Sequence, residues 1–580
     1  MNEARVRLQL EDRVTVTIVT HVHERGEVTQ SVELTSPTTF TIHYCLSLCV
    51  SLNRASFAQI TEGGPIPLPD SKNQLTLEDN GTIFSVKNCP LGARLDGQLL
   101  INGEVQKLNL KDEIVEGSPL QSQVSGEATV GEDEPLRFKT RYRIRPSVDL
   151  VPFPDLAPPL IEPIQWIGYD ETTYIIRKNL EYNIGCLTVP LDDGTVGLMT
   201  DHIALPLAWA RDSYWQTKSL MDTAAILPRL VKESKALLAK VDDVVSGHLK
   251  WLFIRAERPN GLFARSYLMT GKAKDTAIFQ LDQQGYPFLL LCRYAEFGRT
   301  RPAGTETLRT IREILDSGAP NQIMDSLLAK FDEATGLFPT DETPADDKVK
   351  FPYHLSSQIL IYHTMIQFAD FLSKFGPDER ILRTRAESLR TRAENLRSTV
   401  MKNFVEEKDG RAMFAYECNG HGKSRLYLDA NDVPMLFGRE WGFFTTEEHY
   451  QVLDNTMKFG HSPDNAGYCS GGNIKGLGSQ HSPGTWTLGL WQELDYAIQT
   501  RDCKAVGNVW EKLLAARNPD WTFPETVNPK TGAFMCRSCF AWPGSMISST
   551  MIKLMVEGDT EMLDVIYSAG EKQGRPCANL

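Results

Sequence analysis

Trp521-Thr522-Phe523-Pro524-Glu525-Thr526-Val527-Asn528-Pro529-Lys530-Thr531-Gly532 sets one carboxylate between aromatic residues and an Asn-Pro-Lys-Thr-Gly turn. Phe540-Ala541-Trp542 follows, where a new helix is expected to begin. Such a stretch fixes a glutamate on a loop at the mouth of a helical barrel. The neighbouring sequence agrees. Segments 206–226, 230–256, 278–298, 303–317, 354–375, 378–404, 486–500 and 545–557 carry apolar residues at three- and four-residue spacing, the period of helices buried on one side. Several are bounded by Gly or Pro, as helix ends require. Roughly ten to twelve helices are expected in this region by that count, and helical hairpins closing into an (α/α)6 barrel explain it better than a bundle. No short internal repeat points to a solenoid.

The first 145 residues have a different texture. In Val14-Thr15-Val16-Thr17-Ile18-Val19-Thr20 a period of two puts Val14, Val16 and Ile18 on one face. Leu99-Leu100-Ile101-Asn102-Gly103-Glu104-Val105 contains an Asn-Gly hairpin turn. Thr82–Val86 and Phe138–Ile144 read as further short strands. Short strands without helical spacing indicate an antiparallel sandwich. The predicted fold class is therefore α+β multidomain: an N-terminal β-sandwich over 1–145, a Pro-rich linker over 146–165, and the (α/α)6 barrel over 166–580. In the linker, Pro146, Pro152, Pro154, Pro158, Pro159 and Pro163 favour an extended run.

A chain of 580 residues exceeds one ordinary core. Its formal charge of −13 argues against a nucleic-acid surface. The apolar stretch Tyr44–Val50 is too short to span a bilayer, and Met1-Asn2-Glu3-Ala4-Arg5 opens no secretory leader. Eleven scattered cysteines fit a reducing compartment. These features together place the chain in the cytoplasm as an expectation. Cys536-Arg537-Ser538-Cys539 is a single CxxC, and zinc would need a second ligand pair.

Three segments carry candidate chemistry. Trp209-Ala210-Arg211-Asp212-Ser213-Tyr214-Trp215-Gln216 opens a helix with a donor fork beside an acceptor, which suits neighbouring sugar hydroxyls, while tryptophans stack on a pyranose. The plain alternative is a helical salt bridge covered by aromatics. Phe279-Gln280-Leu281-Asp282-Gln283-Gln284 places Asp282 before a strongly apolar helix. Burial there would raise its pKa and keep it protonated, as a general acid requires; a helix cap, or an ion pair with Lys274 or Arg293, is the other reading. Glu525 meets the needs of a general base, which stays ionised and holds a water. Asp429 and Asn431 precede a helix that either could cap. His481-Ser482-Pro483-Gly484-Thr485-Trp486 follows the Gly-rich run Gly471–Gly478 and reads as a rim. No Lys-Ser/Thr follows that run, so a nucleotide site is not indicated.

In this order the motifs resemble the inverting six-hairpin glycoside hydrolases, particularly the glucoamylase family. Trp209-Ala210-Arg211-Asp212-Ser213-Tyr214 is similar to that family's Trp-Thr-Arg-Asp-Ser-Ala helix start. The resemblance implies that Arg211 and Asp212 grip the terminal sugar. Glu525 to Gly532 with Phe540-Ala541-Trp542 resembles the loop that carries the family's base. The prokaryotic members also carry an N-terminal β-sandwich. The acid motif departs: Leu281-Asp282-Gln283 stands where glucoamylases have Trp-Glu-Glu, and is more similar to six-hairpin exo-α-mannosidases with Glu-Leu-Asp-Ser-Leu.

The expected activity is exo-acting, inverting hydrolysis of a small, α-linked glycoside, with glucose as the working guess for the sugar. Asp282 is the expected acid and Glu525 the expected base. Trp209, Arg211, Asp212, Trp215, Gln283, Gln284, Asp429, His481, Trp486 and Trp542 are the candidate substrate contacts. No cofactor or metal is called for, the partner is a small carbohydrate, and oligomeric state stays open. A glycoside phosphorylase, a polysaccharide lyase on an α/α toroid, or a non-catalytic carbohydrate-binding protein are the alternatives.

Overall fold

Alternating apolar residues and tight turns build the first unit from β-strands alone. In the computed structural model the described residues are 3–10, 13–23, 27–50, 52, 72–88, 92–108, 113–116, 120–148, 164–168, 170–203, 205–299, 304–375 and 379–572. Two compact units meet in sequence between Gln165 and Trp166. Of the linker prolines, Pro152, Pro154, Pro158, Pro159 and Pro163 lie outside the described residues.

The first unit contains β1 (Glu3–Leu10), β2 (Val14–Val22), β3 (Glu27–Thr35), β4 (Phe40–Val50), β5 (Lys72–Glu78) and β6 (Ile83–Asn88). It continues with β7 (Ala93–Ile101), β8 (Glu104–Val105), β9 (Glu113–Glu116), β10 (Leu120–Val130) and β11 (Leu136–Pro146). One antiparallel sheet runs β1-β2-β3-β11-β7-β6-β5-β9, with β8 paired to β7, and β4 pairs with β10 as a second layer. Asn102 and Gly103 hold φ of 49° and 88°, the left-handed geometry that an Asn-Gly hairpin turn requires. Leu46, Leu48 and Val124 of the small layer pack on Leu75, Phe84, Val86 and Leu95 of the large one. Ile42 and Tyr44 cover Leu136 and Phe138. The sandwich is therefore of unequal layers.

The second unit is helical. It opens with α1 (Glu171–Gly185), α2 (Ala210–Leu230), α3 (Lys235–Lys250), α4 (Asp282–Arg299) and α5 (Gly304–Asp316). Next come α6 (Ala319–Leu328), α7 (Leu355–Phe375), α8 (Glu379–Asn403), α9 (Val433–Leu436) and α10 (Glu447–Gly460). The last four are α11 (Thr487–Gln499), α12 (Cys503–Ala516), α13 (Ala541–Glu557) and α14 (Thr560–Lys572). Helix α2 packs on α4, α4 on α7, α7 on α9, α9 on α11, α11 on α13, and α13 returns to α2. That closed ring of six inner helices, with α1, α3, α5, α8, α12 and α14 packed outside it, is the (α/α)6 barrel.

Periodicity found the inner helices best because their apolar faces are broad. It missed α1, α6, α10, α12, α14 and the short inner helix α9. The segment expected over 206–226 begins later, at Ala210, with Trp209 as its N-cap in extended conformation. This shift puts Arg211 and Asp212 in the first turn of α2, and Asp282 begins α4. His354 and Asp432 directly precede α7 and α9, and Trp486 and Phe540 are the N-caps of α11 and α13. Three of the six inner helices, α2, α11 and α13, thus start at residues that line one cleft.

Candidate active site

Glu525 is placed by a small three-stranded sheet. Thr526–Val527 pairs with Thr485–Trp486 on one side and with Phe534–Cys536 on the other. The Glu525 carbonyl accepts from the Thr487 amide at 3.0 Å, and its own amide donates to the Arg537 carbonyl at 2.9 Å. Its carboxylate pairs with the Arg537 guanidinium. Arg537 sits at φ 42° and Trp521 at φ 68°, left-handed conformations that side-chain-bearing residues seldom adopt and that cluster at functional sites.

These loops enclose a cleft of about 300 Å³, open solvent at its mouth included. Trp209, Arg211, Asp212, Asn431, His481, Trp486, Glu525, Arg537 and Trp542 are among the residues that line it. The indole nitrogens of Trp209, Trp486 and Trp542 are buried without a hydrogen-bond partner, as is one carboxylate oxygen of Asp212. The three indoles line the cleft, and the Asp212 oxygen lies 3.4 Å from the Arg211 guanidinium. Sugar hydroxyls are of the right chemistry to satisfy them.

A charge cluster is centred on Arg211. Its guanidinium reaches Asp282 at 3.2 Å, Asp212 at 3.4 Å and Asp346 at 3.4 Å, and lies 5.3 Å over the Trp542 ring. Arg211 is shared by three carboxylates, of which Asp346 is also reached by Arg265 at 3.8 Å. Burial, reinforced by Asp346 and Asp282 and opposed by Arg211, pushes Asp212 up to about 7. Burial also raises Asp282, and Asp346 adds to the shift while Arg211 resists it. Asp346 is held below the usual range because Arg211 and Arg265 outweigh its burial. Glu342, salt-bridged to Arg265 at 2.7 Å, is pushed up to about 7 by burial. Differences of this kind between neighbouring carboxyls are what acid–base chemistry uses.

The structure brings Trp209, Arg211, Asp212, His481, Trp486, Glu525 and Trp542 together on one cleft. Asp282 stands one layer back, fully buried, with one oxygen on Arg211 and the other unpartnered. Neither Lys274 nor Arg293 is its partner; Arg293 pairs with Asp222. Four expected contacts are placed elsewhere. Trp215 stacks on Phe437 with centroids 5.4 Å apart, because it follows the first turn of α2 and points into the barrel rather than to its mouth. Gln283 accepts from the Arg211 amide at 3.0 Å and donates to Gln280, so it positions Arg211. Gln284 spans the amide and carbonyl of Phe263. Asp429 is consumed by its own loop, accepting from Asn431 at 2.8 Å and from Tyr427 at 3.3 Å, while Asn431 reaches the cleft.

Sequence reasoning missed Arg537, Asp346 and Arg265. The first was hidden by the flanking cysteines, Cys536 and Cys539, which are free thiols. The signal for the second was the acidic run Asp341-Glu342-Thr343-Pro344-Ala345-Asp346-Asp347, with Asp346 at φ 62°. Among the described residues no group of His, Cys, Asp or Glu side chains is arranged to hold a metal ion, and no helix is long and apolar enough to cross a membrane.

Residues 317–552 match the family model described as metal-independent alpha-mannosidase (GH125). No curated protein matches the chain. Among solved structures, a Streptococcus pneumoniae metal-independent alpha mannosidase, in a non-productive complex with alpha-1,6-mannobiose, is similar at 17% identity and TM-score 0.54. The match covers 69% of this chain and 94% of that one. Glucoamylase from Saccharomycopsis fibuligera aligns over 68% of this chain and 97% of its own, at 11% identity and TM-score 0.47. A Klebsiella oxytoca rhamnosidase with rhamnose bound covers 96% of both chains at 12% identity and TM-score 0.44. The helical unit thus has the six-hairpin glycosidase fold, and the chain is a glycoside hydrolase whose residues 317–552 match GH125.

Proposed function

We propose that the chain releases a terminal α-linked mannose by inverting hydrolysis, with Asp282 as general acid and Glu525 as general base. The observation that carries this is Glu525 on the cleft wall, inside the stretch that matches the α-mannosidase family. That match favours mannose over the glucose expected from the sequence.

In this reading Glu525 takes a proton from a water that attacks the anomeric carbon, while Asp282 gives its proton to the departing glycosidic oxygen. The carbon–oxygen bond to the leaving group breaks as the bond to water forms on the opposite face, so the anomer inverts. The raised pKa of Asp282 suits it to the acid role. Arg211 and Asp212 are donor and acceptor for hydroxyls of the terminal sugar, and Arg537 holds the Glu525 carboxylate in place. A small cleft favours removal of one end unit over cleavage within a chain.

The test is sugar release from α-mannosides and α-glucosides, with the first-formed anomer read by proton NMR. Wild type should yield the β-anomer of mannose, and Glu525→Gln should abolish release. Release that requires phosphate would make the enzyme a phosphorylase. If Asp212→Asn behaves as an acid knockout and Asp282→Asn does not, the acid is Asp212, which lines the cleft and titrates near neutrality.

A further inference from the structure

The inner helices that begin at the cleft run on to a second cavity, of about 760 Å³ with its open mouth included. Lys218 of α2 and Arg293 and Glu296 of α4 line it, with His363 of α7 and Glu440 after α9. No residue lines both cavities. At this second one, two cations share a single carboxylate. Lys218 donates to Asp222 Oδ2 at 2.7 Å, and Arg293 pairs with the other oxygen of the same group. Both keep donors to spare. An ammonium carries three N–H donors, and Asp222 is the acceptor that Lys218 meets among the described residues. Arg293 Nε is buried without a hydrogen-bond partner. Burial lowers the pKa of Lys218, with Asp222 opposing the shift and Arg293 adding to it, so the ammonium is short of negative charge.

The other carboxylates of the lining have cations of their own. Glu296 pairs with Lys374 at 2.7 Å and Arg299 at 3.1 Å, and Glu440 with Lys553 at 2.9 Å. Asp495, which acts on Lys553 and Lys218, is pushed up to about 6 by burial and so is partly protonated just below neutrality. What this wall lacks is an anion. A small oxyanion would accept from Arg293 Nε and the spare Lys218 donors together, and hydrogen bonds between charged partners are the strong ones. His363 Nδ1 is also buried and unpartnered. Burial pushes that imidazole down to about 3, so the ring is neutral, and its Nδ1–H tautomer supplies a further donor. The side chains of Glu296 and Glu440 are half exposed and would repel a long polyanion, which restricts the site to a small one.

We propose that this far mouth of the ring is an oxyanion site, held by Lys218 and Arg293, for a small tetrahedral anion such as inorganic phosphate or sulfate. The test is calorimetric titration of the full chain with sodium sulfate and with sodium phosphate, against sodium chloride at matched ionic strength. Both oxyanions should bind above the chloride baseline. Lys218→Met should weaken that binding about tenfold, with kcat/KM on an aryl glycoside in chloride buffer unchanged. Glu440→Gln removes a nearby negative charge and no donor, so it should tighten binding, a gain that a folding defect would not produce. No binding above chloride, or an affinity that both substitutions leave unchanged, would overturn the proposal.

Discussion

Asp212 and Asp222 sit about three turns apart on the same helix, both nearly inaccessible, yet they are driven in opposite directions. Burial disfavours the charge on each. At the cleft end, Arg211 is divided among Asp212, Asp282 and Asp346, and Asp212 is pushed up to about 7. At the far end, Arg293 and Lys218 both serve Asp222 and override its burial, holding it at about 2. The ratio of cations to carboxylates decides the outcome. A helix with too few cations at one end stores protons there, and a helix with too many at the other is merely well tied.

The sharpest way to break the comparison is to neutralise the carboxyls at the cleft. Asp282→Asn should lower kcat about 10²- to 10⁴-fold on unactivated mannosides. The loss should shrink on an aryl glycoside with a good leaving group, which needs less protonation. A uniform loss on both substrates would assign Asp282 a structural role. In the wild type, activity should fall as pH rises through the raised pKa of the acid, because the acid works protonated.

Stability against pH tests the two aspartates directly. Asp212 has a folded pKa near 7 against about 3.9 when unfolded. Its contribution is present below pH 4 and lost as pH rises to about 7, so wild-type stability should decline across that window. Asp212→Asn should flatten the decline, by about 3 kcal/mol in urea titrations at the two pH limits. Asp222 runs the other way. With a folded pKa near 2, its contribution is present above pH 4 and lost as pH falls towards 2. Asp222→Asn should remove about 2 kcal/mol of that acid-side dependence. Equal slopes in the two variants would mean that cation sharing is not the cause.

The smallest effect is expected from Lys218→Met. Arg293 would still hold Asp222, and the methionine replaces most of the buried stem, so the cost should stay near about 1 kcal/mol in the same titration. A loss as large as that of Asp222→Asn would show that the lysine, not the arginine, carries the pair.

The partition of the chain was legible because periodicity is local. Strand alternation around Val14–Thr20 and the Asn102-Gly103 turn each depend on a few consecutive residues, and both correspond to structure. The starts of α2, α4, α11 and α13 were near enough for Arg211, Asp212, Glu525, Trp486 and Trp542 to be singled out. Trp215 and the two glutamines were misplaced for the same reason they were noticed. Trp215 lies four residues past Arg211, on the same helix face but one turn deeper in the barrel, and Gln283 and Gln284 follow Asp282 but bond to the backbone of Arg211 and Phe263.

By itself, the sequence determined a β unit followed by a ring of helices, an acidic balance, and a glutamate held on a loop ahead of a helix. Only the tertiary structure decided which charges meet. Arg211 finds Asp346 from 135 positions away and Glu525 finds Arg537 across a strand turn. Asp282 gains its elevated pKa from the loss of water around it. Composition and spacing are carried by neighbours along the chain, whereas solvation and charge compensation are set by neighbours in space, and these become defined once the ring closes.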